Sequence, residues 1–513
     1  MPTPSSNGVA PGWELPIADA TDHLYSLVRG AFTDAGYTEA NLCARFGLKS
    51  IVDFKSRREG RAERARVGDA LEVLADLFMD LASVAEAHAR QLLGESAVDA
   101  LLALRLARVD ADPDRQLLAT MLLYPTAGVL LTSDRTFGRP GERRELPADI
   151  VYPAITRNTS TFMRMLPPSQ CDTFLEMCAG NGIAAIAMAG RAGHSWSLDL
   201  TERAKRVAEF NARLNGLHNV TVAQGDLYQP VEGLTFDRIV AHPPYVPSAD
   251  QQLIYRDGGA DGEFITRRLV TELPPYLRPG GRFYATCIVT DRAGAPFEQR
   301  VREWLGDAGD QFDVVVAVTS ADHPSEHYFK SAINGGTTFA EAEQKHATFK
   351  AMQVERLVYC SFVLERHAVA RAPATVRLNR SAATTGRDLE QYCDWLSRRE
   401  TSDLPQRMMA AYPRFDRSAV LRETKRLADD KWHVSQVDVE TSRPFAATIQ
   451  CPEDVSQLLA RCDGSRTLKQ LITTLRQKGF LKVAVPDQAV LQIISTCVAA
   501  GVLHLEDAEH RGT

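Results

Sequence analysis

The chain has 513 residues, enough for two to four domains, and its 44% hydrophobic and 24% charged content is that of a soluble globular protein. A net charge of −6 excludes a global basic footprint for nucleic acid. No apolar run approaches the roughly 20 residues of a membrane span.

Residues 1–18 read as a disordered lead: Met1–Trp13 is rich in Pro, Ser and Gly and has no apolar signal core. Nine cysteines, with no C-x-x-C pair and no Cys/His spacing of the zinc type, read as reduced, mostly buried thiols of a cytoplasmic protein without a metal site. Residues 19–147 are expected to form a helical, winged-helix-like domain. Ala70-Leu71, Val73-Leu74, Leu77-Phe78 and Leu81 recur at helical spacing. Gln116–Tyr124 and Gly128–Thr132 read as a hairpin around Pro125. Lys55–Arg66 carries six basic residues against two acidic ones, a solvated helix face or a contact for an acidic surface.

After the Gly/Pro-bearing linker Gly138–Pro147 the periodicity changes. Strand-like runs at Thr173–Met177, Ser195–Leu200, Val220–Ala223, Arg238–Ala241, Arg282–Val289, Val314–Thr319 and Leu357–Glu365 alternate with helical runs, including Glu202–Leu214 and Phe297–Ala308. That alternation predicts an α/β domain over residues 148–367, a seven-stranded, mostly parallel sheet with helices on both faces. Asp322–Val354 is an insertion of the length used for substrate lids, with Tyr328, Phe329 and Asn334-Gly-Gly inside it. Residues 368–445 read as a helical linker region. Residues 446–507 read as strand, three helices and strand around an Asp463-Gly464 turn, a winged-helix-like unit.

Chemistry is concentrated at four predicted strand ends. The first, Thr173–Gly182, reads Thr-Phe-Leu-Glu-Met-Cys-Ala-Gly-Asn-Gly. Glycines at 180 and 182 permit a tight turn into a small-residue helix, so that Cys178, Ala179, Gly180, Asn181 and Gly182 present backbone amides to a nucleotide-like ligand. Alone, Gly180-Asn-Gly182-Ile-Ala-Ala185 also fits the loose dinucleotide fingerprint. Asp199, followed by Leu200, ends the second strand where a carboxylate can accept both ribose hydroxyls. Gly225-Asp226-Leu227 ends the third, where Asp226 reaches the exocyclic amine of an adenine. The fourth ends in the proline-locked turn His242-Pro243-Pro244-Tyr245.

This series resembles the class I S-adenosylmethionine (SAM) methyltransferases, whose Asn/Asp-Pro-Pro-Tyr motif follows the fourth strand beside the methyl group. The dinucleotide reading leaves the Pro-Pro-Tyr turn unexplained. Glu176 matches the acidic residue opening the family's first motif. Tyr255-Arg-Asp257-Gly-Gly-Ala-Asp261-Gly and Leu277-Arg-Pro-Gly-Gly look like the release-factor glutamine methyltransferases (HemK/PrmC type). The resemblance covers about Val151–Glu365 and implies SAM as cofactor. It implies a substrate mouth lined by Pro243, Pro244, Tyr245, Asp257 and Asp261, with His242 and Tyr245 at the chemistry. The C-terminal unit resembles PqqD-type peptide-recognition domains through its pattern and Asp463-Gly-Ser-Arg-Thr-Leu.

Two departures matter. His242 replaces the Asn/Asp whose oxygen helps clamp a planar NH2, so that clamp is weakened, and a neutral imidazole can instead deprotonate a substrate hydroxyl, acid or amine. At an ordinary histidine pKa of roughly 6.5, activity is expected to rise with pH through that value. Cys178 replaces a usual Gly, at little expected cost. The expected function is methyl transfer to N or O of a peptide, protein or natural-product substrate. Methylation of nucleic-acid base amines and a non-catalytic scaffold are the alternatives.

Overall fold

A computed structural model of the chain describes residues 14–54, 68–110, 114–137, 146–248, 253–334, 336–399, 401–482 and 484–506. The lead to Trp13, the basic run Lys55–Arg66, most of the Gly138–Pro147 linker, and Gly335 lie outside them. The chain divides into two compact units, one of residues 1–164, 169–289 and 304–306, the other of 165–168, 290–303 and 307–513.

In the first unit, the periodic run at 70–81 gives the helix Ala70–Phe78, which buries Leu71, Leu74, Leu77 and Phe78 and is capped by Asp69 accepting from the Glu72 amide. Helices Asp22–Asp34, Glu39–Phe46, Glu86–Leu93 and Glu95–Ala103 accompany it. Strands β1 (Val84–Ala85), β2 (Ala107–Asp110) and β3 (Gln116–Ala119) form an antiparallel sheet ordered β1-β3-β2. β4 (Leu122–Thr126) and β5 (Val129–Ser133) form a hairpin of their own, turning at Ala127 and Gly128 with φ of 50° and 80°. Gln116–Tyr124 is thus two strands and not one. The chain is diverted at Thr120, whose hydroxyl and amide donate to the Arg105 and Leu106 carbonyls.

Beyond the helix Arg157–Arg164 come β6 (Cys171–Met177), β7 (Ala192–Asp199), β8 (Val220–Gln224), β9 (Phe236–Ala241) and β10 (Leu277–Arg292). In this unit they run parallel in the order β8-β7-β6-β9-β10. Their inner residues, such as Phe174, Leu175, Ile239 and Val240, are fully buried, as the apolar runs require of a sheet covered on both faces. Helices Ile183–Met188, Glu202–Leu214 and Phe264–Glu272 connect them. β10 starts five residues earlier than its apolar run, with a register irregularity between Leu277 and Arg282 where Pro279-Gly-Gly sits. The strand order reverses between β6 and β9, and ligands of such sheets bind at the carboxyl ends beside that reversal.

The N-terminal helices and this sheet's helices share one apolar core that includes Val28, Phe32, Leu74, Phe78, Leu123, Ile183, Val207 and Phe210. Tyr25 packs edge-on against Phe210 at 5.0 Å. Each such buried aromatic contributes about 1.5–3 kcal/mol. Polar ties fix the register of this packing: Arg203 pairs with buried Asp134 at 2.6 Å, and Asn211 accepts from the Thr132 amide while donating to the Asn181 carbonyl.

In the second unit, β11 (Phe312–Asp322) pairs antiparallel with β12 (Val354–Arg366) and parallel with β13 (Thr375–Arg380). The helix Phe297–Trp304 stops short of Ala308 at Gly306, whose φ is 54°. The insertion between β11 and β12 is a pair of helices, Pro324–Ile333 and Phe339–Ala351, the latter opened by a Thr338/Glu341 capping box.

Residues 368–445 differ from the helical linker expected. They hold β13, helices Gly386–Arg398 and Leu404–Ala410, β14 (Tyr412–Phe415), and the antiparallel ribbon β15 (Val420–Ala428) and β16 (Lys431–Thr441). The ribbon was illegible because its basic residues obscure the period-two pattern. β17 (Phe445–Cys451), helices Glu453–Leu459, Leu468–Gln477 and Asp487–Ala499, and β18 (Leu503–Glu506) follow in the expected order. β18 pairs with β14. Val437, Val439, Val455, Leu471, Ile494 and Val502 belong to a separate apolar core.

Candidate active site

The site residues of the first predicted motif, Glu176 and Cys178 to Gly182, lie at the carboxyl end of β6 and in the turn that follows it. Glu176 ends inside the fold. Its two oxygens accept from the Ala184 and Ala185 amides at 3.1 and 2.8 Å, so it caps the short helix behind the glycine turn. Burial pushes its carboxyl up to about 8 against those two amides. Glu176 is thus fixed by the helix amides, and a cofactor contact there would use the acceptor sites that its two oxygens keep. The turn itself is left-handed at Cys178, Gly180 and Gly182, with φ of 54°, 56° and 79°. A Cβ on Gly180 would project into open space, whereas at Gly182 it would meet Ala208, Ile186 and Ser197 at 3.1–3.3 Å. The first glycine faces outward and the second packs helix on strand.

Cys178 shows why glycine is the common residue there. A side chain in the left-handed region costs about 1–2 kcal/mol, so this substitution is strained, contrary to its expected low cost. Cys178→Gly is expected to raise stability by up to about 1 kcal/mol, the relief being partly offset by the freer unfolded chain. Urea unfolding checks this, and a lower midpoint in the variant would mean that the thiol's packing outweighs the strain.

Asp199, at the end of β7 and half-buried, accepts from the Gly180 amide at 2.8 Å and from the Thr201 amide at 3.1 Å. Burial raises its pKa above the usual carboxylate range, opposed by those amides. Leu200 beside it is 50% exposed, an apolar face beside the carboxylate. Asp226, after β8, is bound by Arg268 of the helix Phe264–Glu272, one guanidinium nitrogen reaching both oxygens at 2.8 and 3.0 Å. Gly225 donates its amide to the Asp199 carbonyl, and a Cβ there would strike Pro230. Leu227 is nearly buried in a left-handed turn, with φ of 48°.

The His242–Tyr245 loop leaves β9 next to this turn. His242 stacks on Phe162 with ring centroids 5.2 Å apart and planes 13° from parallel. Its Nε2 is enclosed and has no hydrogen-bond partner. Burial lowers its pKa to about 4, so the ring is neutral throughout the working pH range, and the expected rise in activity through pH 6.5 is corrected. The Tyr245 hydroxyl accepts from Asn158 Nδ2 at 2.7 Å.

Asp257 and Asp261 were expected at the substrate mouth, and the structure gives them other work. Buried Asp257 accepts from the Leu253 amide and from Arg256, both within its own loop. Asp261 accepts from the Glu263 amide and pairs with Arg267, both at 3.0 Å, at the start of the helix Phe264–Glu272. The intervening glycines press against the Pro-Pro-Tyr turn: a Cβ at Gly258 would lie 2.7 Å from the Pro244 carbonyl, and at Gly262 2.4 Å from that of Tyr245. The Gly258 amide donates to the Val246 carbonyl. The whole segment is a brace that fixes the loop behind Pro243 and Pro244.

Sequence reasoning missed four contributors. Phe162 and Asn158 come from the helix Arg157–Arg164, whose polar sequence carries no motif. The Tyr124 hydroxyl of β4 receives Asn181 Nδ2 and the Ala154 amide at 3.0 and 2.7 Å, tying the glycine turn to the N-terminal hairpin. Arg268 is one of several arginines with no distinguishing spacing.

Residues 153–308 match the family model described as the methyltransferase small domain. A release factor glutamine methyltransferase of Geobacter sulfurreducens is 33% identical over 120 residues, which are 21% of this chain and 42% of that one. A ribosomal protein uL3 glutamine methyltransferase of Bradyrhizobium diazoefficiens is 31% identical over 128 residues, 22% of this chain and 40% of that one. The chain spans about half the length of the curated relatives it matches. Among solved structures, Methanocaldococcus jannaschii TYW2 in complex with AdoMet is 13% identical with a TM-score of 0.30, over 51% of this chain and 94% of that one, too slight a likeness to add weight. With its strand-end loops and Pro-Pro-Tyr turn, the segment 153–308 is a methyltransferase small domain similar to those of the release factor and ribosomal protein uL3 glutamine methyltransferases.

Proposed function

We propose that this chain transfers the methyl group of SAM to a nitrogen or oxygen in a peptide or protein side chain. The residues present fit the cofactor. The outward face of the turn at Gly180 is open, Asp199 stands beside it with acceptor capacity for ribose hydroxyls, and Leu200 offers an apolar face to adenine. Arg268 occupies part of the Asp226 carboxylate, which has about four acceptor sites and can still receive an adenine amine. When bound, SAM supplies an activated methyl group on a sulfonium. The protein's own part is to position the acceptor and exclude water.

The observation that carries this reading is the neutral imidazole of His242, held flat on Phe162 with an unpartnered nitrogen on the loop after the fourth strand. An unpaired enclosed nitrogen is uncommon unless a partner arrives later. A neutral imidazole has one lone pair to offer, so it suits an acceptor that presents a single hydrogen. A primary amide presents two. The relatives' names point to protein side chains, and the C-terminal three-helix unit is the proposed docking module for that protein or peptide. Incubation with radiolabelled SAM and size-fractionated lysate, followed by protease or nuclease digestion, tests the proposal. Label released by protease supports it, and label released only by nuclease overturns it in favour of nucleic-acid methylation.

A further inference from the structure

The ribbon β15–β16 is under-packed. All nine residues of β15 are exposed, as are most of residues 431–436, and among the described residues no strand pairs with the outer edge of β15. Leu421, Leu427 and Trp432 are 47%, 60% and 69% exposed. β16 is anchored where Val437–Thr441 pair with β17 and Val437 and Val439 enter the apolar core, but residues 424–434 stand out as two strands alone, and a long free edge carries unpaired backbone donors and acceptors. Something that completes the sheet would stabilise both.

The sequence of β15, Val-Leu-Arg-Glu-Thr-Lys-Arg-Leu-Ala, is complementary to itself when reversed about Thr424. In that antiparallel register Leu421 faces Leu427 of a second copy, and Glu423 faces Lys425. The same pairs recur on the other side of the two-fold. Within one chain Leu421 already lies opposite Val439, and Leu427 opposite Trp432. Two copies would therefore form two rows of four apolar residues, Val439–Leu421–Leu427–Trp432, across four strands on one face. Glu423 and Lys425 share that face, and their charged ends lie 3.4 Å apart in the single chain. On the other face Arg422 would approach Arg426, but Arg422 is already neutralised by Glu440 through two bonds of 2.7 and 2.9 Å. Moving the axis by one residue to Glu423, which shifts the pairing by two, places that carboxylate against itself and Leu421 against Lys425. Like charges directly opposite destabilise a strand pair. The irregularity in the ribbon falls at Ser435 on β16, because Thr424 pairs with Gln436 and Lys425 with Val434, so the outer edge of β15 is regular.

We propose that β15 is a dimerisation edge, pairing antiparallel with β15 of a second copy about a two-fold axis at Thr424. It is an isologous interface, in which the same patch serves both copies.

Sedimentation of the full chain between about 1 and 100 micromolar tests this. A concentration-dependent dimer is expected, and a monomer throughout overturns the proposal. Glu423→Lys or Lys425→Glu alone sets two like-charge pairs across the axis and should raise the dimer dissociation constant at least about tenfold. The double variant exchanges the charges, remakes the pairs both across the axis and within the strand, and should restore wild-type association. Circular dichroism of each variant reports the fold independently. A dimer indifferent to both single reversals, or unrestored by the exchange, overturns the assignment of this edge.

Discussion

Asp199→Ala is expected to weaken binding of S-adenosylhomocysteine by roughly 30- to 150-fold, or about 2–3 kcal/mol, the loss typical of a charged hydrogen bond made to a ligand. The carboxylate sits where β7 ends, beside the open face of the glycine turn, and its two oxygens are aimed by amides from different segments, Gly180 and Thr201. Oδ2 retains a second acceptor site for a ribose hydroxyl, and at Oδ1 a second hydroxyl would displace the long 3.4 Å bond from the Thr201 hydroxyl. Alanine also strips the Gly180 amide of its partner, so part of the loss would come from a looser turn. Asp199→Asn separates the two contributions: it keeps one acceptor for Gly180 but removes the charge. Asparagine should therefore bind more weakly than wild type and more tightly than alanine. Isothermal calorimetry reads all three. Unchanged affinity in the alanine variant would place the ribose elsewhere, and tight binding of NAD by the wild type would return the dinucleotide reading.

The strand ends were legible because each is written in adjacent residues. Apolar alternation placed β6 to β9 to within a few residues, and the glycine turn, Asp199, Asp226 and His242-Pro-Pro-Tyr are punctuation that interrupts that alternation. What the sequence could not convey is which of those polar groups already has a partner in the fold. Glu176, Asp257 and Asp261 stand at motif positions, yet their oxygens already accept from backbone amides and arginines that only the fold brings near. Phe162 and Asn158 were invisible for the opposite reason: they lie some 80 residues from the loop they support, a distance at which no periodicity connects them. Cys178 was readable as a departure from a family pattern, but its strain depends on a backbone angle that the residue type does not reveal.

His242→Ala should lower kcat by about tenfold, the loss of one hydrogen bond (about 1.4 kcal/mol) that orients the acceptor on a ring that stays neutral, while SAM affinity stays near wild type. The reason lies in the ring's surroundings. Stacked on Phe162, with Nε2 sealed from solvent, the imidazole cannot readily charge, and its pKa falls to about 4. Two pH dependences follow. The group's folded pKa lies below its unfolded value of roughly 6.5, so its neutral burial is fully tolerated above that pH, and stability falls as pH drops from there towards 4, by about 3 kcal/mol in total. Activity that needs the neutral ring should be flat from about pH 6 to 9 and decline only near the depressed pKa. A clear inflection near 6.5 that vanished in the alanine variant would show that the ring is far more hydrated in the working enzyme. His242→Asn discriminates between acceptors. It restores the amide oxygen that clamps a planar NH2, so full activity on the native substrate would mean that the acceptor is a primary amide or amine and the imidazole dispensable. A loss of that order in both variants, with SAM affinity unaltered, is the result expected of a nucleophile that presents one hydrogen to a neutral imidazole.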